Sequence, residues 1–261
     1  MEKNKKIMVL QVLNIIAFIG MVIVNYLANA LPINGLTTGE ISEMYPNLFT
    51  PASITFAIWG LIYLLLALFV YHQAKGLFSN IRPRVNLVND IGLQFIFSCL
   101  LNISWILAWH YLKPVLSLFI MIILLLTLIR IYLSINSNSW TQYSVLKVKL
   151  PFSVYLGWIS VATVANVAAV LVYLDWGRWG LSEVFWTVLI LIFITVLTIV
   201  FVLKNKDIAY GLVITWSLAG IIVKRLMTEP VERFIIITAM AGILLILISI
   251  IKIIKDKVQM V

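Results

Sequence analysis

Charge is scarce in this sequence. Only 11% of its 261 residues are Asp, Glu, Lys or Arg, while 63% are hydrophobic. A soluble domain carries about a quarter charged residues to cover its surface, so the apolar excess here must face lipid. The one cysteine, Cys99, excludes an intramolecular disulfide and reads as a small buried residue. The two histidines, His72 and His110, fall at opposite ends of apolar segments and cannot share a metal or form a proton relay. No acid or base lies near the middle of any apolar segment, so the usual machinery of an ion-driven transporter is missing. No phosphate-binding glycine motif is present, and any use of ATP would need a separate subunit. No low-complexity tract and no alignable internal repeat suggests an inverted-repeat transporter.

What is present is a series of apolar blocks, each of roughly 18–25 residues, the length that crosses about 30 Å of hydrocarbon as a helix. They predict about eight spans, at 7–28, 52–73, 90–110, 115–135, 151–174, 183–203, 208–225 and 233–254. The runs are continuous, as in Ile120-Met121-Ile122-Ile123-Leu124-Leu125-Leu126, and lack the alternation of a membrane β-barrel. The expected fold is therefore all-α, a polytopic helix bundle. Spans four, six and eight are mostly Ile, Leu and Val and read as lipid-facing scaffolding; the amides and aromatic rings collect in spans one to three and five.

The formal charge of +9 is a topology signal. With both termini on one side, 14 of the 19 basic residues fall on that side, and only Lys113, Arg178, Lys224, Arg225 and Arg233 on the other. The positive-inside rule then makes the richer side cytoplasmic, in a cell membrane with both termini inside. No basic stretch carries the aromatic pattern of a nucleic-acid surface. The Lys-rich start, the apolar run and Ala28-Asn29-Ala30 resemble a secretory signal, but the run is too long and is interrupted by Asn14 and Asn25, so retention as a span is expected.

The loop from Leu31 to Pro51 has no basic residue, two acids in Glu40 and Glu43, and many turn formers. Its apolar residues, among them Ile41, Met44, Tyr45 and Phe49, fit a lid folded over the bundle and equally a connector resting on the membrane interface.

Three stripes carry the chemistry. Gln94, Ser98, Asn102, Trp105 and Trp109 share one face of the third span; Tyr155, Trp158, Ala162 and Asn166 share one face of the fifth, with Thr163 beside them; Thr55, Trp59 and Tyr63 are spaced four apart in the second. The first span adds Asn14, Asn25 and Asn29. Such amides also serve as plain helix glue worth about 0.6 kcal/mol each, and tryptophans as interfacial anchors, the role expected of Trp109, Tyr111, Trp176 and Trp179. Trp59, Trp105 and Trp158 lie deeper beside amides, where the stripes would converge on a flat amphipathic pocket for a large aromatic ligand.

At these residues the sequence resembles the translocator protein family, also called tryptophan-rich sensory proteins or TspO/MBR. The stretch from Phe49 through Pro51 and Trp59 to Tyr63 matches the end of the family's first loop; Leu101-Asn102-Ile103-Ser104-Trp105 matches its third-span signature; Pro151 through Asn166, with Tyr155, Trp158, Ala162 and Thr163, matches its fifth-span signature. The likeness covers about residues 7–174. The loop lacks the family's early tryptophans and has one proline where two are usual, and three further spans follow Asp175.

The resemblance implies a five-helix bundle over residues 1–174, with 175–261 as three additional transmembrane helices. It implies a pocket for porphyrin, haem, sterol or a similar flat molecule, lined by Trp59, Tyr63, Asn102, Trp105, Tyr155, Trp158, Thr163 and Asn166. No catalytic residue, metal or fixed cofactor is assigned, although light- or oxygen-dependent porphyrin breakdown is proposed for the family. The expected partners are the bilayer, a hydrophobic small molecule and a second copy in a homodimer, with no nucleic acid. A sterol-type pattern also fits Leu171-Val172-Tyr173 followed by Arg178. His110 reads as an interfacial side chain rather than an axial haem ligand. The rival reading is the permease subunit of an ATP-driven peptide or lantibiotic-type transporter, with a coupling helix in the loop at 74–89 or 136–150.

Overall fold

The computed structural model describes residues 2–78, 85–137 and 145–259. Among them are nine α-helices and no strand: α1 (Glu2–Ala30), α2 (Thr38–Glu43), α3 (Ile58–Phe78), α4 (Val85–His110), α5 (Pro114–Ser137), α6 (Lys149–Tyr173), α7 (Glu183–Asn205), α8 (Ile208–Leu226) and α9 (Arg233–Val258). All but α2 contain a segment long and apolar enough to span a bilayer. Each of the eight segments ends within two residues of the expectation from hydropathy. The protein is an all-α polytopic membrane bundle. The expected coupling-helix loops lie partly outside the described residues, at 79–84 and 138–144.

The chain divides into two compact units: Met1–Ile41 with Trp59–Ile159, and Ser42–Ile58 with Ser160–Val261.

In the first unit α4 packs against both α1 and α5. Gly92 admits α1 closely, since a Cβ there would meet Asn14 Nδ2 at 3.5 Å and Leu10 at 3.8 Å. Phe69, Phe95 and Phe152, from α3, α4 and α6, meet edge to face with centroids 4.9–6.1 Å apart; such pairs are worth about 0.5–1.5 kcal/mol each beyond their buried area. A buried amide cluster ties α1 to α3. Gln11 Nε2 donates to the Gln73 carbonyl at 2.5 Å, Gln73 Nε2 returns a bond to the Gln11 carbonyl at 3.2 Å, and Asn14 Nδ2 reaches Gln73 Oε1 at 3.4 Å. Without water to replace them, these bonds fix which faces of the two helices meet.

The short α2 opens with a capping box. Glu40 Oε2 accepts from the Thr37 N–H at 2.7 Å and from the Thr37 hydroxyl at 2.8 Å, while the Glu40 N–H donates to Thr37 Oγ1 at 3.3 Å. The Thr37 backbone N–H, then its hydroxyl, hold the Glu40 carboxyl below its ordinary pKa. The cap therefore acts above the usual carboxyl range and is lost as pH falls through the depressed value.

In the second unit α9 packs on both α7 and α8. Gly242 makes this possible, because a Cβ there would stand 2.6 Å from Thr195 Oγ1 of α7 and 3.2 Å from Leu218 of α8. Ser182 caps α7 by accepting from the Phe185 N–H at 3.1 Å, and Asp207 caps α8 by accepting from the Tyr210 N–H at 3.2 Å. Outward-facing residues such as Phe193 and Leu197 of α7 and Phe234 and Leu244 of α9 are exposed, as lipid-facing positions are.

The segment 46–57 is strapped onto this unit. Asn47 Oδ1 gathers the N–H groups of Phe49 and Thr50 at 3.1 and 2.9 Å. The Ala52 N–H donates to the Gly220 carbonyl at 3.0 Å, and Trp216 Nε1 donates to the Thr55 carbonyl at 3.0 Å. Thr55 lies so close to α8 that a Cβ on Gly220 would overlap its Oγ1 and fall 2.9 Å from its Cβ. Gly220→Ala should therefore destabilise the protein by about 1–3 kcal/mol, the usual cost of overpacking. Thermal unfolding in detergent should show a lower midpoint, partly recovered in the Thr55→Ala/Gly220→Ala double variant; an unchanged Gly220→Ala midpoint would show that the strap yields freely.

Candidate ligand-binding site

Six of the eight residues singled out from the sequence lie together in the first unit. Trp59 occupies the first turn of α3 and is the hub. It stacks on Tyr63, one turn on, with centroids 5.6 Å apart and planes 19° apart. Trp105 of α4 lies 6.2 Å away at 29°. Tyr155 and Trp158 of α6 meet it edge-on at 6.0 and 6.3 Å. The spacings of four, three and three residues that put these rings on single helix faces thus bring three faces to one point. Trp105, Tyr155 and Trp158 are buried, while Trp59 and Tyr63 remain partly exposed.

Asn102 organises the polar side of the cluster. It is fully buried; its Oδ1 accepts from Asn25 Nδ2 at 2.6 Å and its Nδ2 donates to Tyr155 Oη at 3.1 Å. Asn25 also donates to the Met21 carbonyl at 2.9 Å, one turn back in α1. The chain thus runs from α1 through α4 to α6. Because Asn102 spends its donor on the Tyr155 oxygen, the tyrosine O–H stays available to donate. The Tyr63 hydroxyl is buried and makes no hydrogen bond among the described residues. Two phenol donors beside a stack of rings can orient the polar group of a flat ligand while the rings hold its body.

Thr163 and Asn166 lie on the part of α6 that belongs to the second unit. There Asn166 Nδ2 donates to the Ala162 carbonyl at 3.0 Å, the helix-internal bond typical of a membrane asparagine.

Trp109 corrects one expectation. It is buried rather than displayed at an interface, stacking on Trp105 at 6.2 Å and donating through Nε1 to the Thr38 carbonyl at 3.3 Å. Its neighbour His110 is a fastener for the first loop. Nδ1 contacts the Ile33 carbonyl at 3.0 Å and Nε2 contacts Thr38 Oγ1 at 3.1 Å. A carbonyl only accepts, so Nδ1 carries a proton, and Nε2 shares a hydrogen bond with the Thr38 hydroxyl. Both nitrogens are occupied, which leaves none for a haem iron. Asn34 Nδ2 adds a bond to the His110 carbonyl at 3.0 Å.

The model of the family described as TSPO-like protein matches residues 11–252. The chain belongs to the TSPO-like family. The match reaches from within α1 to within α9, so the last three long helices of this TSPO-like chain belong to the matched length as well as the stripe-bearing ones. Comparison with curated proteins and with solved structures yields no match. Nothing in the family match points toward the permease reading.

Asn25 was visible in the sequence as an amide in the first span, but nothing local tied it to Asn102, 77 residues away. Replacing Asn102 by Leu should cost about 1–3 kcal/mol, because it takes the partner from one N–H of Asn25 and from the Tyr155 hydroxyl in a dry interior. Adding Asn25→Leu should cost less than the sum of the two single changes. Denaturation in detergent measured as a double-mutant cycle checks this, and strict additivity would show that the two amides are not coupled.

Proposed function

We propose that this chain is a membrane receptor or carrier for a flat hydrophobic molecule, a porphyrin, haem or sterol-like compound, and not an enzyme. The observation that supports it is the convergence of rings from three helices on Trp59, flanked by the Asn25–Asn102–Tyr155 hydrogen-bond chain. In this reading Trp59, Trp105 and Trp158 supply the faces and edges against which the ligand lies. Tyr63 and Tyr155 donate to its carboxylate or hydroxyl, and Asn102 keeps the Tyr155 ring in place. The ligand-binding part is assigned to residues 1–174, and the protein to the cell membrane with both termini in the cytoplasm, where the basic residues are concentrated.

Titration of the purified protein with protoporphyrin IX, haemin or a sterol, followed by tryptophan fluorescence, tests the proposal. Saturable quenching is expected, with at least about 10-fold weaker binding in Trp59→Phe or Trp158→Phe, a loss of roughly 1.4 kcal/mol. Tyr63→Phe should weaken ligands that carry a carboxylate or hydroxyl and spare those that lack one. Unsaturable quenching by all three compounds, or identical affinities in both tryptophan variants, would take ligand binding away from this cluster.

A further inference from the structure

The second unit contains a cavity of about 670 Å³ that uses none of the aromatic cluster. Its size lies within the range of roughly 300–1,000 Å³ typical of small-molecule sites. Along one wall run Val164, Val167, Ala168 and Leu171, one face of α6; along the other run Thr187, Ile190 and Phe193 of α7. From Val164 to Asp175 the α6 wall is about 16 Å long at the rise of a helix. It is an elongated apolar slot between α6 and α7.

One end of the slot is charged. Asp175, Arg178 and Glu183 line it together with the strap residues Asn47 and Leu48. Glu183 is already satisfied: Oε1 accepts from the Leu48 N–H at 2.9 Å, and Oε2 pairs with Arg178 Nη2 at 3.4 Å. Arg178 is not. Its guanidinium has five N–H donors, half of its side chain is exposed, and Glu183 is its single side-chain partner among the described residues. Trp186 Nε1 donates to the Arg178 carbonyl at 3.0 Å and so holds this turn over the start of α7. Asp175 presents a carboxylate with no hydrogen bond or ion pair among the described residues. The slot thus ends in a guanidinium with donors to spare and an uncommitted carboxylate.

We propose that this slot binds one phospholipid bearing a primary amine, with an acyl chain along the α6–α7 wall, its phosphate on Arg178 and its ammonium on Asp175. The apolar length calls for a chain rather than a plate-like ligand. The forked guanidinium suits phosphate oxygens, and the free carboxylate beside it calls for a cation on the same headgroup. An anionic headgroup would set its second negative or neutral group against Asp175. The sterol-type pattern does not describe this slot, because Tyr173 is absent from its lining and meets Tyr45 edge-on at 6.4 Å instead.

Native mass spectrometry of the full-length, detergent-purified protein tests the proposal. Phosphatidylethanolamine, phosphatidylglycerol and phosphatidylcholine of identical acyl chains would be offered in competition, with a sterol as a fourth ligand. The wild type should retain phosphatidylethanolamine at least fivefold over each of the others. Asp175→Asn should bring it to parity with phosphatidylglycerol, Arg178→Gln should weaken all three phospholipids, and Ala168→Phe should exclude them by filling the slot. Asp175→Asn and Arg178→Gln change exposed side chains, so unchanged melting midpoints and unchanged porphyrin quenching would separate this site from the Trp59 cluster. Equal retention of the three phospholipids by the wild type, wild-type selectivity in Asp175→Asn and Arg178→Gln, or displacement by the sterol would each overturn the assignment.

Discussion

Asn102 sits where α1, α4 and α6 meet in the first unit, in a place that water does not reach. An amide there must find partners within the protein, because leaving it unpaired in an apolar interior costs several kcal/mol. It finds two, Asn25 and Tyr155, and that choice sets the rotation of all three helices. Once Tyr155 is fixed, its ring meets Trp59, and the faces of Trp105 and Trp158 follow from their spacing on the same two helices. The aromatic cluster is thus downstream of one satisfied amide. Hydrophobic burial contributes little to this registry, since lipid is as apolar as leucine and favours no particular helix face.

The same logic separates what the sequence makes legible from what it hides. Membrane spans are legible because crossing hydrocarbon demands a continuous apolar run, a constraint local to each segment. The stripes through Asn102 and Trp158 are legible because three- and four-residue spacings state a helix face. Partners across helices are another matter. Gln11 and Gln73 bond reciprocally over 62 positions, and Trp216 reaches Thr55 over 161. Nothing in either neighbourhood marks those pairings. Trp109 shows the converse error: at the end of an apolar run it reads as an interfacial anchor, yet the loop carrying Thr38 folds onto it and buries it. Thr163 and Asn166 share the α6 stripe but belong to the second unit, a division that helical spacing cannot express.

The first loop illustrates how short polar signals act at a distance. Residues up to Ile41 belong to the first unit, where Ile33, Asn34 and Thr38 converge on His110. Residues from Ser42 belong to the second, where Leu48, Ala52 and Thr55 bond to α7 and α8 and Glu43 pairs with Lys224 at 3.6 Å. Read alone, the loop's turn formers and acids fitted a lid and a connector equally well. What distinguishes its two halves is the set of fixed donors and acceptors that each meets, and those are contributed by helices far along the chain.

The two candidate sites differ in how their polar groups are used, and the difference bears on what each can select. Around Trp59 the amides are consumed by structure, and selectivity rests on ring surface with two phenol donors. Such a site discriminates shape well and polar groups weakly, as a receptor for related flat molecules would. At the charged end of the α6–α7 slot the structural demand is met by Glu183, which holds Leu48 and Arg178. Asp175 and the remaining Arg178 donors are therefore surplus to folding. Two opposite charges that the fold does not need discriminate by headgroup charge and hardly at all by the shape of the chain below them. Arg225 marks the contrasting case: it is buried within the second unit, and its Nε makes no hydrogen bond among the described residues. That charge is enclosed by the fold, whereas Asp175 and Arg178 stand open at the mouth of an apolar slot, which is the arrangement an amphiphile requires.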